Sequence, residues 1–256
     1  MLLLQFSGER LTVKPLDISS KPDFIIHDDF GRLSAFTYAR ALASLFFYSP
    51  RIFDVNEFIL NIAPYVEPGK VVGFLTDTDN VIRLTDTLRF TGFSTDLFTS
   101  SLPEGLERRG GDLNLTLFEP KSLGAVSLSL SVVLSLCKKA QLTPRVKRII
   151  DQLLDLSDLH DWLNSLGEGI KPSEYQVILS PTMEPSLAYL KNAGLNVKTV
   201  ANYNILINSL IVYNGSDMMI MRRVRTMISK KSEVKEILLD ADPILAPSYL
   251  TLKMGA

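Results

Sequence analysis

The residues best suited to chemistry lie in one short turn. Thr76-Asp77-Thr78-Asp79-Asn80 joins an apolar run, Val71 to Leu75, to a helical pattern from Val81 to Thr91 that Gly92 closes. Hydroxyls and backbone N–H groups at the start of a helix can bind a phosphate, helped by the positive end of the helix dipole. Thr76, Thr78 and Asn80 supply polar groups there, and Ser34 adds a hydroxyl on a neighbouring loop. Asp77 and Asp79 stand in the same turn. Two carboxylates at a helix start can instead cap its orphan N–H groups and repel a phosphate dianion. Three readings of the turn stay open: caps on an ordinary helix, a phosphate site, or a metal-assisted site built on the carboxylates.

A second cluster, His27-Asp28-Asp29, ends a strand-like run, Asp23 to His27. Open α/β sheets place ligands at such strand ends. The cluster can be an acid–base or metal site, or simply a packing histidine followed by solvated carboxylates. The other histidine, His160, falls in a helical pattern. Glu184 is the carboxylate nearest a loop of the second half, as a catalytic candidate or a capping group. Arg108-Arg109 and Arg222-Arg223 with Arg225 are basic pairs that suit solvated faces, with phosphate contacts as the alternative. Met218, Met219 and Met221 fill an apolar helix. No Walker loop, dinucleotide loop, serine-nucleophile elbow or zinc-ligand spacing occurs, so no cofactor and no metal are expected.

Composition narrows the class. Of 256 residues, 46% are hydrophobic and 21% charged, which is enough to bury a full core. A net charge of -1 gives no global footprint for nucleic acid or an anionic membrane, so neither is expected as a partner. The single cysteine, Cys137, excludes an internal disulfide, a thiolate zinc cluster and an iron–sulfur site, and suits a reducing compartment. Met1 to Phe6 is apolar but lacks a basic flank, so a signal peptide is not expected. Val126 to Cys137 is too short to span a bilayer. The reading is a soluble cytoplasmic protein.

The elements that must position these residues alternate. Strands are expected at Asp23–His27, Arg51–Val55, Val71–Leu75, Ser94–Thr99 and Leu113–Phe118. Helices are expected from Ala35 to Tyr48, from Asn56 (as a cap) to Ala63, from Val81 to Thr91 and from Gly124 to Lys138. Thr143-Pro144 opens a long amphipathic helix that continues to Leu166. Beyond it come strands at Tyr175–Leu179, Val197–Ala201, Ser209–Tyr213, Val234–Leu239 and Pro243–Ala246, with helices at Pro185–Lys191 and Met218–Ile228. The strands are Val- and Leu-rich runs, the mark of a parallel sheet covered on both faces by helices. Val71–Leu75 with its turn and helix parallels Leu210–Tyr213 with Asn214-Gly215-Ser216-Asp217 and its helix. Two copies of one α/β unit are therefore expected, with domains at 1–140 and 171–256 joined by a helix in 141–170.

This order of elements resembles the sugar isomerase (SIS) domains, and more closely the tandem pair in the isomerase part of glutamine–fructose-6-phosphate aminotransferase. The resemblance rests on the Thr76–Asn80 turn, on Thr85, Asp86, Thr87 and Leu88 before Thr91-Gly92, and on Ser94 to Ser101. It continues through Gly105 to Arg109, Asp112 to Leu115, Glu119 and Gly124 to Ser127, with Asn56-Glu57-Phe58 upstream. It implies two doubly wound αβα domains, the second reduced, a sugar phosphate as partner and a homodimer, for which the apolar helix Ala35–Tyr48 offers a face. It also implies a ligand site drawn from Ser34, Thr76, Thr78, Asn80 and Ser127. The catalytic parts of those domains have no clear counterpart. The region that carries a Ser-Thr-Lys segment in them is Gly124 to Ser129 here, without a lysine, and a His-Gly-Pro segment is missing. His27 and Glu184 are the remaining catalytic candidates. Two functions stay open: a phosphosugar-binding protein or aldose–ketose isomerase, and a catalytically inactive regulatory or scaffold protein.

Overall fold

The computed structural model describes residues 2–6, 9–100, 113–118 and 122–255. Expectations for Ser101, Gly105 to Asp112 and Glu119 lie outside the described residues. The chain forms two compact α/β units, one built on Leu11–Leu154 and the other on Asp155–Ala256. Strands β1 (Leu2–Phe6) and β2 (Glu9–Val13) pair in a small sheet of their own.

The first unit holds β3 (Phe24–His27), β4 (Arg51–Asp54), β5 (Lys70–Leu75), β6 (Ser94–Thr99) and β7 (Leu113–Leu117) in one parallel sheet of order β4-β3-β5-β6-β7. All of β3 is buried, and so is β5 after its first residue, because helices cover both faces. One face packs under α1 (Arg32–Phe46) and, later in the chain, α4 (Ser122–Lys139); there Tyr38 meets Phe74 edge-on at 5.8 Å and Phe74 stacks on Phe98 at 5.2 Å. On the other face Phe24, Ile26, Val71 and Leu97 pack against Val55 of α2 (Val55–Glu57) and against Val81, Leu84 and Leu88 of α3 (Thr78–Thr91). Gly92 ends α3 with a φ of 80°, the left-handed conformation that favours glycine. α5 (Pro144–Leu154) completes the unit, with Thr143 Oγ1 accepting from the Val146 N–H at 3.2 Å.

The second unit opens with α6 (Leu159–Ser165). Its parallel sheet contains β8 (Gln176–Leu179), β9 (Val197–Thr199), β10 (Ser209–Asn214) and β11 (Val234–Leu239) in the order β9-β8-β10-β11. Helices α7 (Leu187–Asn192), α8 (Met218–Ile228) and α9 (Ala246–Met254) cover it. Numbered within each unit, the strand orders are 2-1-3-4-5 and 2-1-3-4, so the second unit is the same fold without the last strand. The register agrees. His27 pairs with Phe74 as Leu179 pairs with Val212, and the next N–H of each first strand, Asp28 or Ser180, reaches the carbonyl of that partner.

Four local expectations change. The cap after β4 is Asp54, not Asn56: its Oδ1 accepts from the Asn56 N–H at 2.9 Å, and the helix widens into a π-turn over Phe58–Ile62. The long helix to Leu166 is two helices. Asp155 takes the Ser157 N–H and hydroxyl in the break, and the next residue, Leu156, is buried. Pro243–Ala246 is not a strand. Asp242 caps the Ile244 N–H, and the chain enters α9 with Pro247 in its first turn. The apolar face of α1, read as a dimer face, is buried against the sheet and α4 within its own unit. Among the described residues no helix is long and apolar enough to cross a membrane.

An extended segment is tied to α4 by a row of serines. Ser127, Ser131 and Ser135 accept from the N–H groups of Thr12 (3.1 Å), Lys14 (3.1 Å) and Leu16 (2.7 Å). Residues four apart share one helix edge, and N–H groups two apart share one edge of an extended chain. Pro15, which has no N–H, falls between two of these donors, where none is needed. Leu11, Val13 and Ile18 are buried beside the row. Ser131→Ala removes the central acceptor and is expected to lower unfolding stability by about 1 kcal/mol, measured by urea denaturation; an unchanged midpoint would show that the row carries no weight.

Candidate functional site

Between β3 and β5 the strand order reverses, so their outgoing loops part and leave a crevice, the usual ligand position in open α/β sheets. The β3–α1 loop supplies Asp28 and Gly31; the β5–α3 loop supplies Thr76 and Asp77. One side chain spans them. Asp28 Oδ2 accepts from the Thr76 N–H, from Thr76 Oγ1 at 2.9 Å and from the Asp77 N–H at 2.9 Å, while Oδ1 accepts from the Gly31 N–H at 2.7 Å. Asp28 is only 5% exposed.

A buried carboxylate is tolerated when donors and dipoles surround it. Here the N-termini of α1 and α3 both face it, each carrying a partial positive charge. Gly31 makes the approach possible: a Cβ at that position would lie 1.8 Å from the Phe74 carbonyl oxygen. Ser100 Oγ donates to the Thr76 carbonyl at 3.1 Å and steadies the loop from the β6 side.

The remaining candidates can now be placed. Asp77 turns back onto its helix: its Oδ1 accepts from the Asn80 N–H at 2.9 Å. The capping reading of Asp77 is thus the observed one, and Asp79 sits exposed in the first turn of α3. Thr78 is the exposed first residue of α3, Asn80 is half-buried beside it, and Ser34 is buried in the first turn of α1. Ser127 belongs to the serine row, with Thr12 as its partner. Among the described residues no group of three or more His, Cys, Asp and Glu is arranged to hold a metal.

His27 is buried, its ring 5.6 Å from that of Phe36. Its Nδ1 faces the Asp28 carbonyl oxygen at 3.0 Å, which sets the Nδ1–H tautomer. Burial holds its pKa below the ordinary 6.5. Arg32 acts in the same direction, against the Asp28 carbonyl and the carboxylates of Asp54 and Asp28. The Arg32 guanidinium lies 5.0 Å from the Phe36 ring centre, and its Nε is buried without a hydrogen-bond partner among the described residues.

The second unit closes its own crevice, between β8 and β10, in the reverse direction. Asp217, on the third-strand loop, accepts from the Thr182 N–H of the first-strand loop at 2.8 Å. Thr182 and Ser216 hydroxyls pair at 3.2 Å, and Asn214 donates to the carbonyls of Leu239 and Ala241. Asp217 is 8% exposed. Glu184 is half-buried at the start of a 3-10 turn, with its N–H on the Ser180 carbonyl. Asp217 was legible only as part of a polar turn. Asp28 was visible as a strand-end acid, but not as the partner of a loop 48 residues away.

The fold is shared with solved phosphosugar enzymes. Glucosamine-6-phosphate deaminase from Thermotoga maritima matches with a TM-score of 0.70 at 13% identity, over 92% of this chain and 84% of that one. Tagatose-6-phosphate ketose/aldose isomerase from Escherichia coli matches at 0.58 and 10% identity, over 92% and 80%. The C-terminal domain of glucosamine-fructose-6-phosphate aminotransferase from Francisella tularensis matches at 0.58 and 10%, over 90% and 82%. No protein-family model and no curated protein matches the sequence. The likeness to SIS-domain proteins is therefore one of fold, across nearly the whole chain and at low identity.

Asp28→Ala would leave four donors without their acceptor and is expected to destabilise the protein by about 3 kcal/mol, with Asp28→Asn between it and wild type, by urea unfolding. Asp28→Ala at wild-type stability would mean that the carboxylate does not hold the loops. His27 gives a second expectation. The unfolded chain takes up a proton near 6.5 while the folded chain resists it, so stability falls as the pH drops below about 6.5 and is level above it. His27→Gln should flatten the acid side of that profile, and an unchanged profile would assign the pH dependence elsewhere.

Proposed function

We propose that this chain is a non-catalytic regulatory or scaffold protein built on the sugar isomerase fold. The observation that carries the reading is the Asp28 carboxylate, which takes the N–H and hydroxyl groups of the turn that would otherwise bind a phosphate. A phosphate entering there would have to displace a fixed negative charge and would meet Asp77 and Asp79 beside it. The catalytic side points the same way. Moving a proton between sugar carbons needs a positioned base near its working pKa. His27 is buried, kept neutral and tied to a backbone carbonyl. The resemblance to paired SIS domains extends the proposal to a cytoplasmic homodimer.

One observation favours a second reading, a sugar-phosphate-binding protein. Two helix N-termini converge on the crevice, a geometry that suits an external anion as well as an internal one. Thr76, Thr78 and Asn80 would then be its ligands.

Thermal unfolding separates the two. The panel is glucosamine 6-phosphate, fructose 6-phosphate and tagatose 6-phosphate, with inorganic phosphate and the unphosphorylated sugars as controls. A ligand at one hundred times its Kd adds about 2.7 kcal/mol, or roughly 5–10 °C for a chain of this size. The expected result is no shift with any of them. A shift of that size with one sugar phosphate, lost in Thr78→Ala, would overturn the non-binding reading.

A further inference from the structure

We infer that the outer face of α8 docks an acidic amphipathic helix of a protein partner. The inner face of α8 is settled: Met221, Val224 and Ile228 are buried against Ile178, Ile211 and Tyr213. At 3.6 residues per turn the opposite stripe is Met219, Arg222, Arg223 and Thr226. These residues and Met227 line a shallow groove of about 520 Å³. Met219 is 69% exposed and Met227 53%. The adjoining loop adds Leu206, which is 70% exposed. That loop is held to α8 and its following turn by the Tyr203 hydroxyl on Met227 Sδ, and by Ser232 Oγ on the carbonyls of Ile205 and Ile207.

The charge is as one-sided as the apolar surface. From Met218 to Ser232 there are five cations and no carboxylate, in a chain whose net charge is -1. Arg225 turns away to Glu236 at 3.3 Å. Arg222, Arg223, Lys230 and Lys231 are exposed and make no ion pair among the described residues.

The arrangement selects the occupant. A helix face that inserts into a bilayer puts apolar side chains at its centre and cations at its flanks. Here Arg222 and Arg223 lie at the centre, and the methionines stand at either end. A nucleic-acid backbone would satisfy the arginines but strand Met219, Met227 and Leu206 in water. A helix with a carboxylate stripe beside an apolar stripe satisfies both sets, and flexible thioethers adapt to its apolar side chains. None of the groove residues takes part in the hydrogen bonds that close either crevice, so the docking inference and the non-catalytic reading stand or fall independently.

The test uses the full chain and a fluorescent synthetic helix of about 18 residues, five turns, with glutamates on one face and leucines on the other. Anisotropy should show saturable binding that weakens with added salt. A scrambled peptide of equal composition, and the Arg222→Glu/Arg223→Glu protein, should each bind about tenfold or more weakly. Lys147→Glu/Arg148→Glu makes the same charge change on α5 and should stay within about twofold, with thermal unfolding confirming that both variants fold. Absence of saturable binding, equal affinity for the scrambled peptide, or equal loss in the α5 control would overturn the inference. So would stronger binding to heparin, or to vesicles of equal parts phosphatidylserine and phosphatidylcholine.

Discussion

The first unit is organised around one buried negative charge. Parallel sheets of this order leave a gap where the strand order reverses, and the helices beside the gap point their positive ends toward it. An acceptor must stand there to match the loop N–H groups, and a negatively charged one gains most from the helix ends. In this chain Asp28 does so from within, tying Thr76, Asp77 and Gly31 to one carboxylate. The closeness of Gly31 to Phe74, the order of the β5–α3 turn and the tautomer of His27 all depend on where that residue sits.

The second unit meets the same requirement with a different residue. Asp28 reaches from the first-strand loop to the third, and Asp217 reaches from the third-strand loop to the first. Ser180, which stands where Asp28 stands in the first unit, has a buried hydroxyl with no hydrogen-bond partner among the described residues. The repeated fold therefore does not repeat its residues. What recurs is an acceptor at the reversal of strand order, supplied from whichever loop carries a carboxylate.

Much of the fold was legible because buried strands and half-buried helices write different periods. β3, β5, β8 and β10 read as apolar runs, and α8 reads from Met218 to Ile228 because one face is buried and the other cationic. α9 was missed for the opposite reason: Ala246 to Leu252 are all buried, so no face stands out. The cap at Asp54 was displaced by two residues because Asp54 and Asn56 are both good caps and only backbone geometry chooses. At the site, the turn and its capping aspartate could be read locally. The closure by Asp28 could not, since it joins residues 48 apart through a sheet register that no local pattern encodes.

The serine row on α4 behaves like two rulers with unequal divisions. Four helical residues advance about 6.0 Å, whereas two extended residues advance about 6.7 Å. By the third rung the ideal scales differ by about 1.4 Å, yet the Ser135 bond, at 2.7 Å, is the shortest of the three, so the two backbones adjust to each other along the row. The fourth rung pairs Ile18 with position 139. The residue is Lys139, whose long side chain reaches the Ile18 carbonyl at 2.6 Å. The seam thus ends with a reversal of roles, from serines that accept backbone N–H groups to a lysine that donates to a backbone carbonyl, so the last rung is tied through the opposite backbone group.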